Sequence, residues 1–204
     1  MKKLLAVIAT AFAFSTSVVS QDKALDDPSG AIAFIQAVSD DTVVAWSDSK
    51  LTKADRATAF RSIFREATDI NLLARGMLGR HYKTISVEER KSYMAAMRDY
   101  IVAEFDKRME QVGFKTLEVY GTRPASGRRG HIFVLTKIKR EKGEPILADW
   151  RVRKKKGAFQ IVNLDFEGIN LMITNRDLFS AKIKSGGIDG LIEWLKRQTN
   201  ARKH

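Results

Sequence analysis

The feature that most constrains this chain is a change of period at Gly113. Upstream of it, apolar residues recur every three or four positions; downstream they alternate. A helix buries a stripe with a 3.6-residue repeat and a strand buries every second residue, so neither pattern can serve the other structure. The chain must therefore build helices first and a sheet second, and cover the sheet with those helices.

The longest upstream repeat is also the clearest. Tyr93, Met97, Ile101, Phe105 and Met109 recur every four residues, with Met94, Tyr100 and Val112 beside them and charged residues opposite. Ser86-Val87-Glu88-Glu89 precedes them as a capping box. Such a stripe is usually packed core; it could also line a cavity for an acyl chain, because Met, Phe and Tyr are large or adaptable. Three shorter helices are expected before it. One covers 29–48, with Ile32, Ile35, Val38, Val43 and Trp46 on one side. A second starts near Thr52, where Thr52-Lys53-Ala54-Asp55 resembles a capping box with Asp in place of Glu, and carries Phe60, Ile63 and Phe64. A third runs from about Asp69 through Leu72, Leu73 and Met77 and ends at Gly79.

Downstream, Phe114–Tyr120, His131–Lys139, Ile146–Lys154 and Phe159–Phe166 read as four strands. Their connections are short and rich in turn formers, which implies an antiparallel meander. Ile146, Ala148, Trp150 and Val152 share one face of the third strand, against Leu147, Asp149, Arg151 and Arg153 on the other. The sheet thus has one strongly apolar face and one mixed face. Two helices close the chain, from about Thr174 to Lys184 and then after Gly186-Gly187, with Ile188, Leu191, Ile192 and Leu195 apolar. The expected class is α+β: a four-stranded antiparallel meander packed with helices from both ends of the chain. Nothing splits it, so residues 21–204 read as one domain.

Residues 1–20 stand apart. Met1-Lys2-Lys3, an apolar stretch from Leu4 to Phe14 and small residues up to Ser20 make a secretory signal peptide, with cleavage expected near Ser20. The alternative is a retained anchor, but the apolar stretch is short for the ~30 Å of a bilayer core. Export to the periplasm is the expectation. It removes ribosomal RNA as the explanation of the charge, which is +12 for the whole chain. Twelve of the basic residues lie between Arg123 and Lys156, opposed only by Glu141, Glu144 and Asp149. They either keep the edge strands soluble or form a docking surface for phosphate headgroups or an acidic protein. Nucleic acid is not expected as a partner.

Catalytic signatures are lacking. The chain has no Cys and three scattered His, with no Gly-x-Ser-x-Gly elbow, His-Glu-x-x-His or phosphate loop. No catalytic and no metal-ligating residue is assigned, and the expectation is that this is not an enzyme. Asp149 would be a poor candidate for an acid within a cavity.

Several segments together resemble the MlaC, or toluene-tolerance, family of periplasmic phospholipid-binding proteins. They are Phe60-Arg61-x-x-Phe64, Asp69-Ile70 through Met77-Leu78-Gly79-Arg80-His81-Tyr82, Phe166-Glu167-Gly168-Ile169-Asn170-Leu171 through Arg176-x-x-Phe179, and Gly187-Ile188-Asp189-Gly190-Leu191. The chain departs from the family pattern at Asn170 (usually Ser), Asn175 (usually Tyr), Phe159 (often Trp) and Asn163 (often Asp).

The resemblance implies a soluble carrier that exchanges lipid with an outer-membrane lipoprotein complex and with an inner-membrane ABC transporter containing an MCE-domain protein. Bound glycerophospholipid would be cargo, and no cofactor is expected. In this reading the cavity candidates are Met97, Ile101, Phe105, Ile132, Val134, Trp150, Val152, Leu171 and Phe179. Headgroup or partner docking falls to Arg128, Arg151, Arg153 and Lys154, and the protein is expected to be a monomer. The alternative is an exported basic adaptor that binds an acidic partner and has a filled core.

Overall fold

In the computed structural model, residues 27–127 and 130–201 are described. The N-terminal segment read as a signal peptide, and Arg128, lie outside them. Five α-helices and five strands follow in the order α1 (Pro28–Ser47), α2 (Lys53–Ala67), α3 (Ile70–Leu78), α4 (Val87–Val112), β1 (Phe114–Pro124), β2 (His131–Arg140), β3 (Ile146–Lys155), β4 (Ala158–Phe166), β5 (Ile169–Asn170) and α5 (Leu171–Asn200). A 3-10 turn, Gly79–Lys83, links α3 to α4.

The helix starts follow the caps. Asp27 accepts from the Gly30 amide at 2.8 Å, with Pro28 in the first turn of α1. The box at α2 is complete: the Thr52 hydroxyl accepts from the Asp55 amide at 3.1 Å, and the Asp55 carboxylate accepts from the Thr52 amide at 3.2 Å. At α4, Ser86 and Glu89 exchange the same pair of bonds at 3.1 and 2.7 Å. In α1 the fully buried stripe is Ala31, Ile35, Ser39 and Thr42, while Ile32, Val38, Val43 and Trp46 pack at its flanks. Small residues take the centre because α1 lies directly against the sheet.

The sheet is antiparallel in chain order β1-β2-β3-β4-β5. It has five strands where the sequence pattern suggested four. The addition, β5, is two residues long and pairs Phe166 with Ile169 and Asp165 with Asn170. The β4–β5 turn places both Glu167 and Gly168 at positive φ (50° and 75°), and the β3–β4 turn does the same with Lys156 and Gly157 (50° and 86°). Positive φ at both central residues is what a two-residue hairpin requires to match strand twist. β1 also runs further than the alternation suggested, through Gly121 to Pro124. A register shift between Val119 and Gly121 breaks the period there, and Pro124 is tolerated because β1 is an edge strand.

One face of the sheet is sealed by helices. Val134 pairs with Trp150 and Trp150 with Leu164; Ile132 pairs with Val152 and Val152 with Ile161. These residues join Tyr93, Met97, Tyr100, Ile101 and Phe105 of α4 in a single core. The Tyr93 hydroxyl donates to the Ala74 carbonyl at 2.8 Å, so α3 is pinned to α4 through a buried bond; that burial pushes the Tyr93 pKa up. The last helix starts three residues earlier than its periodicity suggests, because Asn170 caps it by accepting from the Ile173 amide at 3.0 Å. It breaks at Gly186-Gly187, where Gly187 takes φ 66°, and its second half buries Ile188, Leu191, Ile192 and Leu195 as expected.

The α2–α3 junction fastens to the free edge of β4. Thr68 bridges Ile161, and the Asp69 amide donates to the Ile161 carbonyl at 2.9 Å. The Asp69 carboxylate caps α3 through the Leu72 amide at 2.9 Å and also pairs with the Arg153 guanidinium. Asp69→Ala therefore removes a cap and leaves a mostly buried guanidinium without its anion. The expected loss is about 2–3 kcal/mol in urea unfolding, a cap contributing ~1 kcal/mol and the orphaned charge the rest. Asp55→Ala, at an exposed cap without such a pair, should cost less. Equal losses would mean that the Arg153 pair adds nothing.

Candidate functional site

Four aromatic rings occupy the centre of the space between sheet and helices. Phe105 stacks on Phe64 with centroids 4.1 Å apart and on Phe60 at 5.7 Å, and meets Trp150 edge-on at 5.9 Å. Trp150 is fixed in turn. Its indole N–H donates to the Thr136 hydroxyl at 3.0 Å, and that hydroxyl donates to the Ala148 carbonyl at 2.7 Å. A buried indole whose donor is satisfied this way has little freedom to rotate.

The rings divide the interior. On one side lies an apolar cavity of about 30 Å³ of room for the centres of water-sized spheres, bounded by α1, α2 and the sheet through Ile35, Phe60, Phe114, Leu117 and Ile138. On the other lies a second of about 60 Å³, bounded by α3, α4 and the start of α5 through Leu73, Met77, Tyr100, Ile101 and Leu171. Phe64, Phe105, Trp150 and Ile161 line both. The apolar space expected between sheet and helices is present, but as two small cavities rather than one chamber. Its polar lining is sparse: Ser39 and Thr42 in the first, Glu104, Arg108, Asn163 and Asn175 in the second. Glu104 and Arg108 lie 3.6 Å apart as an ion pair.

The nine apolar candidates come together in this core. Ile101, Phe105, Trp150 and Leu171 line the cavities. Met97, Ile132, Val134, Val152 and Phe179 are buried behind them as packed core, Phe179 edge-on to Tyr100 at 6.2 Å. The basic candidates do not share one role. Arg153 pairs with Asp69, and Lys154 with Asp27 at 3.0 Å. Both thus fasten the β3–β4 hairpin to helix starts. The Gly30 amide and the Lys154 ammonium hold the Asp27 carboxyl below its ordinary value. Arg151 faces away from the core, with its guanidinium over the Phe133 ring at 5.6 Å.

Arg151 opens into a feature that the sequence reading missed. Where α3 and the 3-10 turn meet the outer face of the sheet lies a crevice of about 600 Å³ by the same measure. Arg75, Lys83, Arg90, His131, Arg151 and Arg176 line it, above an apolar floor of Leu72, Val162 and Met172. No carboxylate is among its lining residues. The Arg and Lys residues among them are dispersed from 75 to 176 in the chain, so no local run announces them.

Asp149 also lies on the outer face. It pairs with Arg123 at 3.2 Å, and Asp165 lies 3.8 Å from the same guanidinium. Neither carboxylate lines either apolar cavity.

A helix-covered antiparallel sheet around a divided apolar interior defines an α+β domain built to surround something greasy or to pack tightly on itself. The MlaC protein family matches this chain over residues 36–197, and the chain belongs to that family. Among solved structures, a phospholipid-binding protein from Ralstonia solanacearum, determined in complex with a phospholipid, superposes with a TM-score of 0.69. It is 18 % identical, and the match covers 85 % of this chain and 99 % of that one. At that identity the likeness is one of fold.

The outer-face carboxylates give a pH test. Desolvation raises the Asp165 pKa above the ordinary 3.8, Arg123 opposes that rise, and Asp149 adds to it. A carboxyl with a raised folded-state pKa binds its proton more tightly folded than unfolded, so stability falls as pH rises through the interval above 3.8. Asp165→Asn lacks that titration. Its stability relative to the native chain should increase between about pH 3 and pH 6 in denaturant titrations. A constant difference across that range would refute the assignment.

Proposed function

We propose that this chain is a periplasmic phospholipid carrier: it takes up a glycerophospholipid, shields the tails in its interior and hands the lipid on without chemical change. Membership of the MlaC family supports this, as does the similar fold of a protein solved with a phospholipid bound. The observation that carries it is the apolar interior split by Phe105 and Trp150. On this reading the lipid travels between an outer-membrane lipoprotein complex and an inner-membrane MCE-domain ABC transporter. The carrier acts as a monomer exported by its N-terminal signal peptide.

The physical need is large. A diacyl lipid has roughly 30 methylenes, and at ~0.8 kcal/mol each their exposure to water costs on the order of 25 kcal/mol. Unaided crossing of an aqueous compartment is negligible at that cost. A carrier has only to offer a substitute for the bilayer interior, which accounts for a site made of apolar side chains.

The two cavities are too small for a whole acyl chain. An apolar cavity of about 150 Å³ is the size that admits a benzene ring. Uptake therefore requires the Phe105–Trp150 partition to part and the helices to move off the sheet, because the two cavities together still hold less than that. Arg153 and Lys154, engaged with Asp69 and Asp27, act in this reading as fasteners of the frame. That leaves Arg151 as the described member of the docking set that faces an open crevice.

Native mass spectrometry on protein purified from the periplasm without detergent should show added mass equal to a glycerophospholipid. Protein that stays lipid-free, both as isolated and after incubation with phospholipid vesicles, would end the carrier reading. Phe105→Ala should merge the cavities. It is expected to cost about 3–5 kcal/mol of stability and to raise the fraction of lipid-loaded protein. Ile101→Trp, which fills the second cavity, should lower that fraction.

A further inference from the structure

The crevice beside α3 carries more positive charge than any structural duty within it requires. Arg75 and Arg90 both stack on Tyr82, with guanidinium carbons 5.0 and 4.7 Å from the ring centroid. The two carbons thus stand no further apart than the sum of those distances. Arg90 spends one N–H on the Ile85 carbonyl at 3.3 Å, while its buried Nε has no hydrogen-bond partner. Arg176 donates from Nε to the Gly76 carbonyl at 2.9 Å. Its terminal nitrogens form no ion pair within the crevice lining, which holds no acid. On the outer face Asp149 and Asp165 lie 3.2 and 3.8 Å from Arg123, and Asp165 also feels the Arg151 charge.

We propose that this crevice is a phosphate-binding site, resting on the carrier reading for its natural ligand, in which Arg75 and Arg90, both anchored on the Tyr82 ring, grip a tetrahedral phosphate or phosphodiester. Guanidinium forks match phosphate oxygens in pairs, and stacking on an aromatic ring fixes their planes before the anion arrives. The size suits more than a bare ion, since small-molecule sites span roughly 300–1,000 Å³. Leu72, Val162 and Met172 give the anion an apolar flank, which a glycerol ester would cover and free phosphate would not.

The location adds a second argument. Each apolar floor residue has a chain neighbour that lines the second cavity: Leu72 and Leu73, Val162 and Ile161, Met172 and Leu171. One layer of backbone separates the two spaces. The seam between α3 and α5 is closed by close contact, because a Cβ at Gly76 would come within 2.5 Å of the Met172 sulfur. A phosphate held in the crevice thus stands at the point where tails need the least displacement of backbone to enter.

Isothermal titration of the lipid-stripped mature chain tests this with four probes: inorganic phosphate, glycerophosphoglycerol, dioctanoyl phosphatidylglycerol and dioctanoylglycerol. The phosphatidylglycerol should bind at least tenfold tighter than the dioctanoylglycerol, with an affinity that falls as salt rises. Arg75→Gln with Arg90→Gln should remove at least tenfold of that affinity and leave dioctanoylglycerol unchanged. Arg75→Lys with Arg90→Lys should recover part of the loss. Lys155→Gln with Lys156→Gln, on the distant β3–β4 turn, should change it less than twofold. If the double glutamine variant fails to fold, Lys83→Glu at the exposed rim should still weaken phosphatidylglycerol severalfold.

Binding of inorganic phosphate and glycerophosphoglycerol, lost in the glutamine variant, would identify a free-anion site. Binding of the phosphorylated lipid alone would identify a headgroup site, and either supports the proposal. Equal affinity for the two dioctanoyl lipids, unaltered in the glutamine variant, would overturn it while leaving the carrier reading intact. Phosphate binding with no uptake of either lipid would do the reverse.

Discussion

The structure depends on Trp150 being both immobile and central. Thr136 pairs across the sheet with Ala148, next to the Val134–Trp150 pair, and its hydroxyl ties the indole to the Ala148 carbonyl. This buried polar link in an apolar face satisfies both hydroxyl and indole, so it carries no desolvation penalty from a lone donor. With the ring fixed, Phe105 has a wall to meet, and Phe60 and Phe64 stack behind it. The helices from both ends of the chain thereby close over one face of the sheet. What remains between them is the divided apolar space.

Charge is arranged on the opposite principle. Much of the basic segment around β2 to β4 is compensated at home: Arg123 by Asp149 and Asp165, Lys139 by Glu118 at 2.9 Å, Arg153 by Asp69, Lys154 by Asp27. Those four cations are therefore engaged with acids and do not act as free surface charge. A further concentration arises where separate elements converge, in the crevice lined by Arg75, Arg90, Arg151 and Arg176, whose lining holds no carboxylate. A linear count of charge locates a basic segment; only the fold shows which cations from elsewhere in the chain gather beside it.

Residues with a local signature were legible. The boxes at Thr52 and Ser86, the α4 stripe from Tyr93 to Phe105 and the break at Gly186-Gly187 all read correctly, because each is decided within a few residues by hydrogen bonding or period. The nine cavity candidates were legible as a core, since burial follows periodicity. Their division into lining and packing was not, because it depends on how rings from α2, α4 and β3 meet. β5 escaped notice because two residues carry no period, and its existence rests on positive φ at Glu167 and Gly168. The end of β1 was misjudged because a bulge erases alternation where it occurs. The crevice had no sequence signal at all, as its cations are contributed by four elements and the 3-10 turn.

Whether such a closed interior can serve a carrier comes down to a comparison of magnitudes. Phe105 makes three ring contacts, and aromatic pairs are each worth roughly 0.5–1.5 kcal/mol beyond their buried area. Parting the rings therefore costs on the order of 2–4 kcal/mol, provided their area is covered again by something apolar. About five methylenes, at ~0.8 kcal/mol each, offset that cost. An acyl chain of ordinary length exceeds five methylenes several times over, so relative to a tail in water its burial outweighs the displaced partition. A short apolar molecule does not reach that threshold, and for it the rings stay closed. On the carrier reading, the aromatic partition thus acts as a length filter: it keeps the empty interior from exposing apolar surface to water, yet yields to a long tail. The Thr136 link holds the Trp150 indole by a hydrogen bond, whereas Phe105 is held by ring contacts alone, so on the carrier reading Phe105 is the side that yields.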